Sequence, residues 1–280
     1  SIRYPTWGPT VEPGESIRVN ATQPASALLD VLRTEEPTYI QLNPSVLKEL
    51  LYVSQEQGYK PAGLREVSSL GEILYPDLRE RCQQQWDVKV TDNYSCEEFG
   101  PLALQCPEHD HLHVQSENIL IEVLRPDNRP CKPGEIGKTV ISSLSNFATP
   151  MLRYENGDMA EVGEPCACGR GLPVLKRIIG RVRNTAVLPN GERLIPNFMT
   201  SQMLHDLPIR HFQLVQKSTE MIEARLVVDR PLTNGEEDAL ADHFNKNWQH
   251  TFRFTFVYLD EITRGANGKY EVFRCEVPTG

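Results

Sequence analysis

Between Ala25 and Thr91 two hydrophobic periods alternate, and this limits the fold more than any other feature of the chain. Ala27, Leu28, Val31 and Leu32 recur at helical spacing in a segment spanning Ala25 to Arg33, which Pro37 ends. Tyr39–Leu42 then reads as a short strand. Asn43-Pro44-Ser45 opens a second helix, with the asparagine or the serine as its cap, and Val46, Leu47, Leu50 and Leu51 carry its apolar face. Leu64–Val67 is a further strand, Pro76–Trp86 a helix and Val88–Thr91 another strand. Strands alternating with helices predict an α/β fold with a largely parallel sheet, whose chemistry gathers at the carboxyl ends of the strands. Two segments fall there, Ser68-Ser69-Leu70-Gly71-Glu72 after one strand and Asp92 to Gly100 after the next. Tyr94 offers a flat face on which a base can stack, and Glu98 a carboxylate able to hold a divalent cation. Loops are rich in Gly, Glu and Tyr for ordinary reasons, so neither segment identifies a site alone.

Upstream of Ala25, Pro5, Pro9, Pro13 and Pro24 break any period, which leaves irregular chain with one short strand near Ser16 to Val19. From Leu112 onward the texture is different. His113-Val114, Ile119–Val123 and Lys138–Ser142 are short extended runs between Pro-Asp-Asn and Pro-Gly-Glu-Ile-Gly turns, as in a small barrel or antiparallel sheet. The stretch from Pro150 to Arg183 closes this region. In it an Asn156-Gly157 turn is followed by Asp158, whose two oxygens suit the hydroxyls of a vicinal diol; a plain turn aspartate is the simpler alternative. Gly180-Arg181 ends the stretch.

Cysteine and histidine gather at two places. Cys106 is followed by His109, His111 and His113, and Cys166 and Cys168 come well downstream. Thiolate and imidazole are the ligands that tetrahedral zinc prefers, and two loops could supply three thiolates and one of the three imidazoles. Such a closed site would be structural, since catalytic zinc keeps an open position. The alternative is a buried Cys106 beside solvated histidines. Seven cysteines, an odd and scattered number, do not read as a secreted disulfide framework.

Past Arg183, Thr185–Leu188 and Arg193–Ile195 flank Pro-Asn-Gly-Glu as a hairpin, and Phe198–Leu204 reads as a short helix. Phe212–Gln216 and Ile222–Val228 are strands, Asn234 opens a helix through Leu240, Phe244 and Trp248, and Phe252–Tyr258 alternates as a strand. This is a small α+β domain. It ends in a Gly-flanked loop, Thr263 to Tyr270, which presents Lys269.

Length and charge bound the function. At 280 residues two domains are expected, and a net charge of −9 with no basic block argues against gripping nucleic acid or an anionic membrane. No apolar run reaches transmembrane length, and Ser1 to Tyr4 lacks the order of a signal peptide, so a cytoplasmic location is expected. The absence of an initiating Met and a Pro-rich start point to a fragment.

In order, the segments GE (71–72), DNYSCEEFG (92–100), CPEHDHLHV (106–114), GEIGKTVISSL (134–144), PMLRYENGD (150–158), CACGR (166–170), GRVRN (180–184) and NGKYEVF (267–273) resemble the phenylacetate-CoA ligase-like branch of the adenylate-forming enzymes. Capsule-biosynthesis relatives of that branch are similar. The resemblance covers nearly the whole chain. It implies the C-terminal part of an adenylate-forming large domain, a βα sheet over 1–111 plus a small β-barrel over 112–182, followed by an α+β lid domain over 183–280. It also implies activation of a small-molecule carboxylic acid with ATP and Mg2+ to an acyl-adenylate, then transfer to the thiol of coenzyme A.

Residue by residue, the resemblance implies that Gly71 and Glu72 border the adenine and acyl pocket. Asn93 lies beside the nucleotide, Tyr94 stacks on adenine, and Glu98 holds magnesium. Asp158 binds the ribose hydroxyls with Arg181 nearby. Arg183 falls at the hinge of the small domain, and Lys269 steadies the charge that develops when carboxylate oxygen attacks the α-phosphate. The zinc set it implies is Cys106, His113, Cys166 and Cys168. Three positions depart from the family pattern: Ser95 replaces a glycine, Glu97 a Ser or Thr, and Arg183 an aspartate. The glycine-rich loop that cradles the ATP phosphates is absent from these residues. The chain alone is therefore expected to adenylate little. Two alternatives stay open: a non-catalytic nucleotide- and zinc-binding fragment, and adenylation with transfer to an amine, a hydroxyl or a carrier protein. Oligomeric state is left open.

Overall fold

The computed structural model describes residues 2–4, 14–181, 184–196, 207–263 and 270–277. It divides into two compact units, Ser1–Asp92 and Asn93–Gly280.

In the first unit β1 (Ile2–Tyr4) pairs antiparallel with β2 (Ser16–Arg18). Helix α1 (Ala25–Glu35) buries Leu29 and Leu32 and stops at Glu36, which adopts the left-handed conformation directly before Pro37. Next come β3 (Tyr39–Leu42), α2 (Pro44–Glu56), β4 (Glu66–Leu70), α3 (Pro76–Trp86) and β5 (Lys89–Cys96), with β3, β4 and the start of β5 in that spatial order. β3 and β4 are parallel, Tyr39 opposite Glu66. The core of this unit holds Leu29, Leu47, Leu51, Val67, Cys82 and Trp86. The buried Trp86 indole is satisfied, donating to Ser54 Oγ at 3.0 Å.

Three expectations change here. β4 runs on through Leu70, so Ser68, Ser69 and Leu70 are strand residues and only Gly71 and Glu72 leave it. β5 continues through Cys96, so Asp92 to Cys96 also lies in a strand. Neither Asn43 nor Ser45 caps its own helix. Asn43 Nδ2 donates to the Leu70 carbonyl at 3.0 Å, while the Glu72 carboxylate accepts from Ser45 N at 2.9 Å and from Ser45 Oγ at 3.0 Å. A carboxylate facing the unpaired N–H groups of a first turn is favoured by the same electrostatics as a local cap.

The second unit takes over at the end of β5 and adds β6 (Gly100–Gln105), β7 (Leu112–Val114), β8 (Ile119–Leu124), β9 (Ile136–Ser143), β10 (Tyr154–Val162) and β11 (Val174–Arg181). Their order is β5-β6-β7-β11-β10-β9-β8, every pairing antiparallel. The order is open, yet the sheet curls: the Tyr94 hydroxyl on β5 lies 2.8 Å from Asp158 on β10, with β6, β7 and β11 between them in the order. Leu102, Leu112, Val114, Ile141 and Leu175 fill the interior. The expected turn at Asn156-Gly157 does not end the strand. It forms an irregularity within β10, where pairing with β9 jumps from Glu155 to Met159 and Gly157 takes φ 81°. A side chain there would be strained, so glycine suits the bulge.

Beyond residue 184, β12 (Ala186–Val187) and β13 (Arg193–Leu194) form the expected hairpin. β14 (Ile209–Ser218) and β15 (Met221–Val228) pair antiparallel, α4 (Asn234–Trp248) follows, then β16 (Arg253–Tyr258) and β17 (Phe273–Cys275), giving the order β16-β15-β14-β17. Thr233 and Glu236 make a reciprocal capping box at the start of α4. Leu240, Phe244 and Trp248 pack from α4 against Leu214, Ile222 and Phe273. β17 was not anticipated. The helix expected at Phe198–Leu204 lies outside the described residues. No helix among the described residues is long and apolar enough to cross a membrane.

Candidate functional site

The antiparallel sheet of the second unit brings four sequence-distant segments to one place. β10 and β11 set Asp158 directly opposite Arg181, and Arg181 Nε lies 3.4 Å from Asp158 Oδ1. The other carboxylate oxygen, Oδ2, accepts from the Tyr94 hydroxyl at 2.8 Å and from Asn156 Nδ2 at 2.7 Å. Asn156 Nδ2 also donates to the Tyr94 oxygen at 2.7 Å. Thr139 Oγ1 lies 2.5 Å from Asn156 Oδ1 and 3.1 Å from the Asp158 carbonyl. Asp158 is buried and Arg181 part-exposed, so the pair forms an inner acid with an outer cation. Tyr94 is also buried, its ring in the core. Burial first, and then the Asp158 charge, push its phenol well above the usual range.

Glu98 stands at the exposed edge of this cluster. Tyr154 donates to Glu98 Oε1 at 3.2 Å, and its ring centroid is 6.0 Å from that of Phe99. A hydrogen bond from its own backbone N–H holds the Glu98 carboxyl below the ordinary range, helped by Cys96, Tyr154 and the Arg181 charge. Arg153, just before Tyr154, takes φ 49°, a costly conformation for a long side chain. Its NH1 reaches both oxygens of Glu122, at 2.6 and 2.8 Å, and its N–H donates to Ser142 Oγ at 2.9 Å. These contacts hold the bend that aims Tyr154 at Glu98. The exposed carboxylate, held ionised, has the chemistry to accept a hard cation.

A second cluster lies where the β6–β7 hairpin meets the loop between β10 and β11. Val174 pairs with His113, which seats that loop beside β7. The donor atoms of Cys106, His111, His113 and Cys166 all lie within 4.8 Å of one another. Cys106 Sγ and Cys166 Sγ are 3.9 Å apart, too far for a disulfide. A tetrahedron with metal–sulfur bonds of about 2.3 Å has sulfur–sulfur edges of about 3.8 Å, so this spacing fits a zinc site. Cys168 joins from the side, its Sγ 3.3 Å from His113 Nε2. His111 Nε2 is buried without a hydrogen-bond partner, which also fits a ligand set. Burial, then His113 and His109, push the His111 ring below its ordinary range, keeping it neutral as a metal ligand must be. The Arg170 backbone N–H, with its side chain, brings the Cys168 thiol down to about 6. His109 stacks on His111 at 5.1 Å and lies outside the quartet.

The chain is similar to known proteins in both sequence and fold. The phenylacetate-coenzyme A ligase of Thermus thermophilus is 29% identical over 203 residues, covering 69% of this chain and 45% of that protein. The enzyme of the same name from Pseudomonas putida is 25% identical over 221 residues, covering 77% of this chain and 46% of that protein. The chain is similar to phenylacetate-coenzyme A ligases over 66–77% of its own length. A family model described as the CapK C-terminal domain matches residues 189–275. Among solved structures, 2-hydroxyisobutyryl-CoA ligase in the postadenylation state superposes with TM-score 0.73 at 20% identity, over 91% of this chain and 57% of that one. The o-succinylbenzoate CoA synthetase of Bacillus subtilis, bound to its acyl-adenylate intermediate, gives 0.62 at 19% identity, over 88% and 52%. The fold is that of adenylate-forming CoA ligases. The chain spans less than half the length of the curated relatives it matches.

Of the residues expected from sequence, the structure gathers Tyr94, Glu98, Asp158 and Arg181 in one place, and separately Cys106, His113 and Cys166, with His111 as the fourth member of that quartet and Cys168 beside it. Asn93 sits on β5 opposite Leu104, next to Tyr94. Gly71 takes φ 78° where the chain leaves β4, a turn that favours glycine, and Glu72 is engaged with the start of α2. Both belong to the first unit. Arg183 and Lys269 lie outside the described residues. Thr139, Asn156 and Tyr154 enter the first cluster without having been singled out as members, and His111, one of the three imidazoles considered, joins the second beside His113. The one signal of the first three in the sequence is position: Tyr154 and Asn156 come just before the Gly157-Asp158 step, and Thr139 lies in an extended run.

Proposed function

We propose that this chain is part of an enzyme that activates a small carboxylic acid with ATP and Mg2+ and passes the acyl group to coenzyme A. The observation that carries this reading is the convergence of Tyr94, Glu98, Asp158 and Arg181 from three strands and a turn into one connected set. Asp158 would accept the ribose hydroxyls of the nucleotide, with Arg181 beside it facing ribose or phosphate, and Asn93 and Tyr94 lining the base. The expected stacking of adenine on Tyr94 is not supported by its burial: the residue is 8% exposed and its ring lies in the core, so contact with the nucleotide would be through the edge whose hydroxyl bonds Asp158. Glu98, exposed and held ionised, would carry Mg2+ on the phosphates. Gly71 and Glu72 would border the adenine and acyl pocket, and Arg183 would mark the hinge between a barrel ending at residue 182 and a lid domain over 183–280.

In the first half-reaction a carboxylate oxygen attacks the α-phosphorus. The bond from that phosphorus to the bridging oxygen breaks, and pyrophosphate leaves; Lys269 would steady the charge that develops. In the second, the thiol sulfur attacks the acyl carbon, the thiol proton is lost, and AMP leaves. The Cys106, His113, Cys166 and Cys168 set, with His111 adjoining it, would hold a structural zinc that ties the β6–β7 hairpin to the β10–β11 loop. Two tests follow. With the intact protein, ATP and a panel of carboxylates, hydroxylamine should trap an acyl hydroxamate, and adding coenzyme A should yield a thioester. A hydroxamate without thioester would reassign the acceptor to an amine, a hydroxyl or a carrier protein. No hydroxamate with any acid would leave a nucleotide- and zinc-binding module instead.

A further inference from the structure

The Asp158 carboxylate is not held by the ligand-facing residues alone. Asn156 gives both hydrogens of its amide to this corner, one to the Tyr94 oxygen at 2.7 Å and one to Asp158 Oδ2 at 2.7 Å. Tyr94 directs its own proton to the same Asp158 oxygen at 2.8 Å, so the three groups close a triangle. The amide oxygen faces two donors, Thr139 Oγ1 at 2.5 Å and Asp158 N at 3.2 Å. That donor and acceptor pattern fixes which end of the amide is nitrogen. Thr139 is fully buried on β9 and reaches across to β10, and the bulge at Gly157 brings Asn156 and Asp158 side by side.

We propose that Asn156 and Thr139 are positioning residues for nucleotide recognition: they lock one Asp158 oxygen inward, so that the other is turned toward Arg181 and the ribose diol. The inference rests on the reading of Asp158 as the ribose-binding carboxylate. A carboxylate free to rotate about its last bond would have to be ordered when the nucleotide arrives, whereas one already held contributes its hydrogen bond without that cost. No other side chain of this size supplies two donors and an acceptor without charge. Aspartate at 156 keeps the shape but removes both donors and sets a second negative charge against Asp158 Oδ2.

The test compares AMP with 2′,3′-dideoxy-AMP by calorimetric titration of the intact protein, because only AMP carries the hydroxyls that Asp158 would read. The wild type should prefer AMP by about 10- to 100-fold, the range for a hydrogen bond to a charged group. Asn156→Asp should shrink that preference to about twofold or less; the added negative charge weakens both ligands alike and cancels in the ratio, so the ratio is the readout. Thr139→Val should shrink it in the same direction, Thr139→Ser should restore it, and these two carry the test alone if Asn156→Asp does not fold. A wild-type preference retained in Thr139→Val and in a folded Asn156→Asp overturns the proposal. So does an equal loss of both affinities, which would mark a structural role only. A wild type that fails to prefer AMP removes the Asp158 reading, and this inference with it.

Discussion

Replacing Tyr94 by Phe isolates the energetic weight of the buried network, because the ring stays in the core and only the hydroxyl goes. That oxygen donates to Asp158 at 2.8 Å and accepts from Asn156 at 2.7 Å, in a residue only 8% exposed. A hydrogen bond to a charged group contributes about 1.5–3 kcal/mol and a neutral one about 1 kcal/mol. Asn156 still reaches Asp158 Oδ2 in the variant, so part is recovered and the expected net loss is about 2 kcal/mol. Urea unfolding of the intact protein, followed by circular dichroism, should show the midpoint falling by roughly 1 M at a slope typical of a small domain. Native-state hydrogen exchange should place the loss at the backbone amides of β9 and β10. A midpoint within about 0.2 M of wild type, with unchanged exchange, would show that the network adds nothing to stability and refute the reasoning.

Other expectations follow from the same structure. Phe244→Ala removes a ring that is 1% exposed and stacked at 5.2 Å on Trp248, and should cost about 3–5 kcal/mol in denaturant unfolding. Elemental analysis should find about one zinc per chain, lost in Cys106→Ser and in His113→Ala, and a chelator should lower the melting temperature of the wild type only. Glu236, at the start of α4, is brought from 4.5 to about 2 by Arg230 and then by the Thr233 backbone N–H. Its folded value is depressed, so its contribution is complete above about pH 4.5 and fades as pH falls toward 2. Glu236→Gln should therefore flatten the acid limb of stability between those values, read from unfolding midpoints across pH.

The βα part of the chain was legible because its apolar period decides burial directly. β3 and α3 fall on the residues where the pattern places them, and α1 overruns it by one helical half-turn before Pro37. The period failed where polar residues sit in strands. Asn93 and Ser95 read as loop, yet antiparallel pairing with β6 keeps them extended. Asn156-Gly157 reads as a turn, yet its flanks pair with the same neighbour, which makes it a bulge. Asp158 and Tyr94 were connected in sequence only through a family resemblance; the curl of the sheet supplies the physical link. Asn156 and Thr139 were out of reach for the same reason, since their role exists only once β5, β9 and β10 face one another. The Glu72 cap on α2 joins residues separated by a helix and a strand, and no local signature marks it.

Carboxylate-dependent exchange of labelled pyrophosphate into ATP, run on the intact protein and on Asp158→Ala, tests the central claim most directly. The account predicts exchange with at least one aryl or alkyl carboxylate, falling by about 10-fold or more in the variant as the nucleotide loses a charged hydrogen bond. Exchange that is absent with every acid, or present at the same rate in Asp158→Ala, would contradict it.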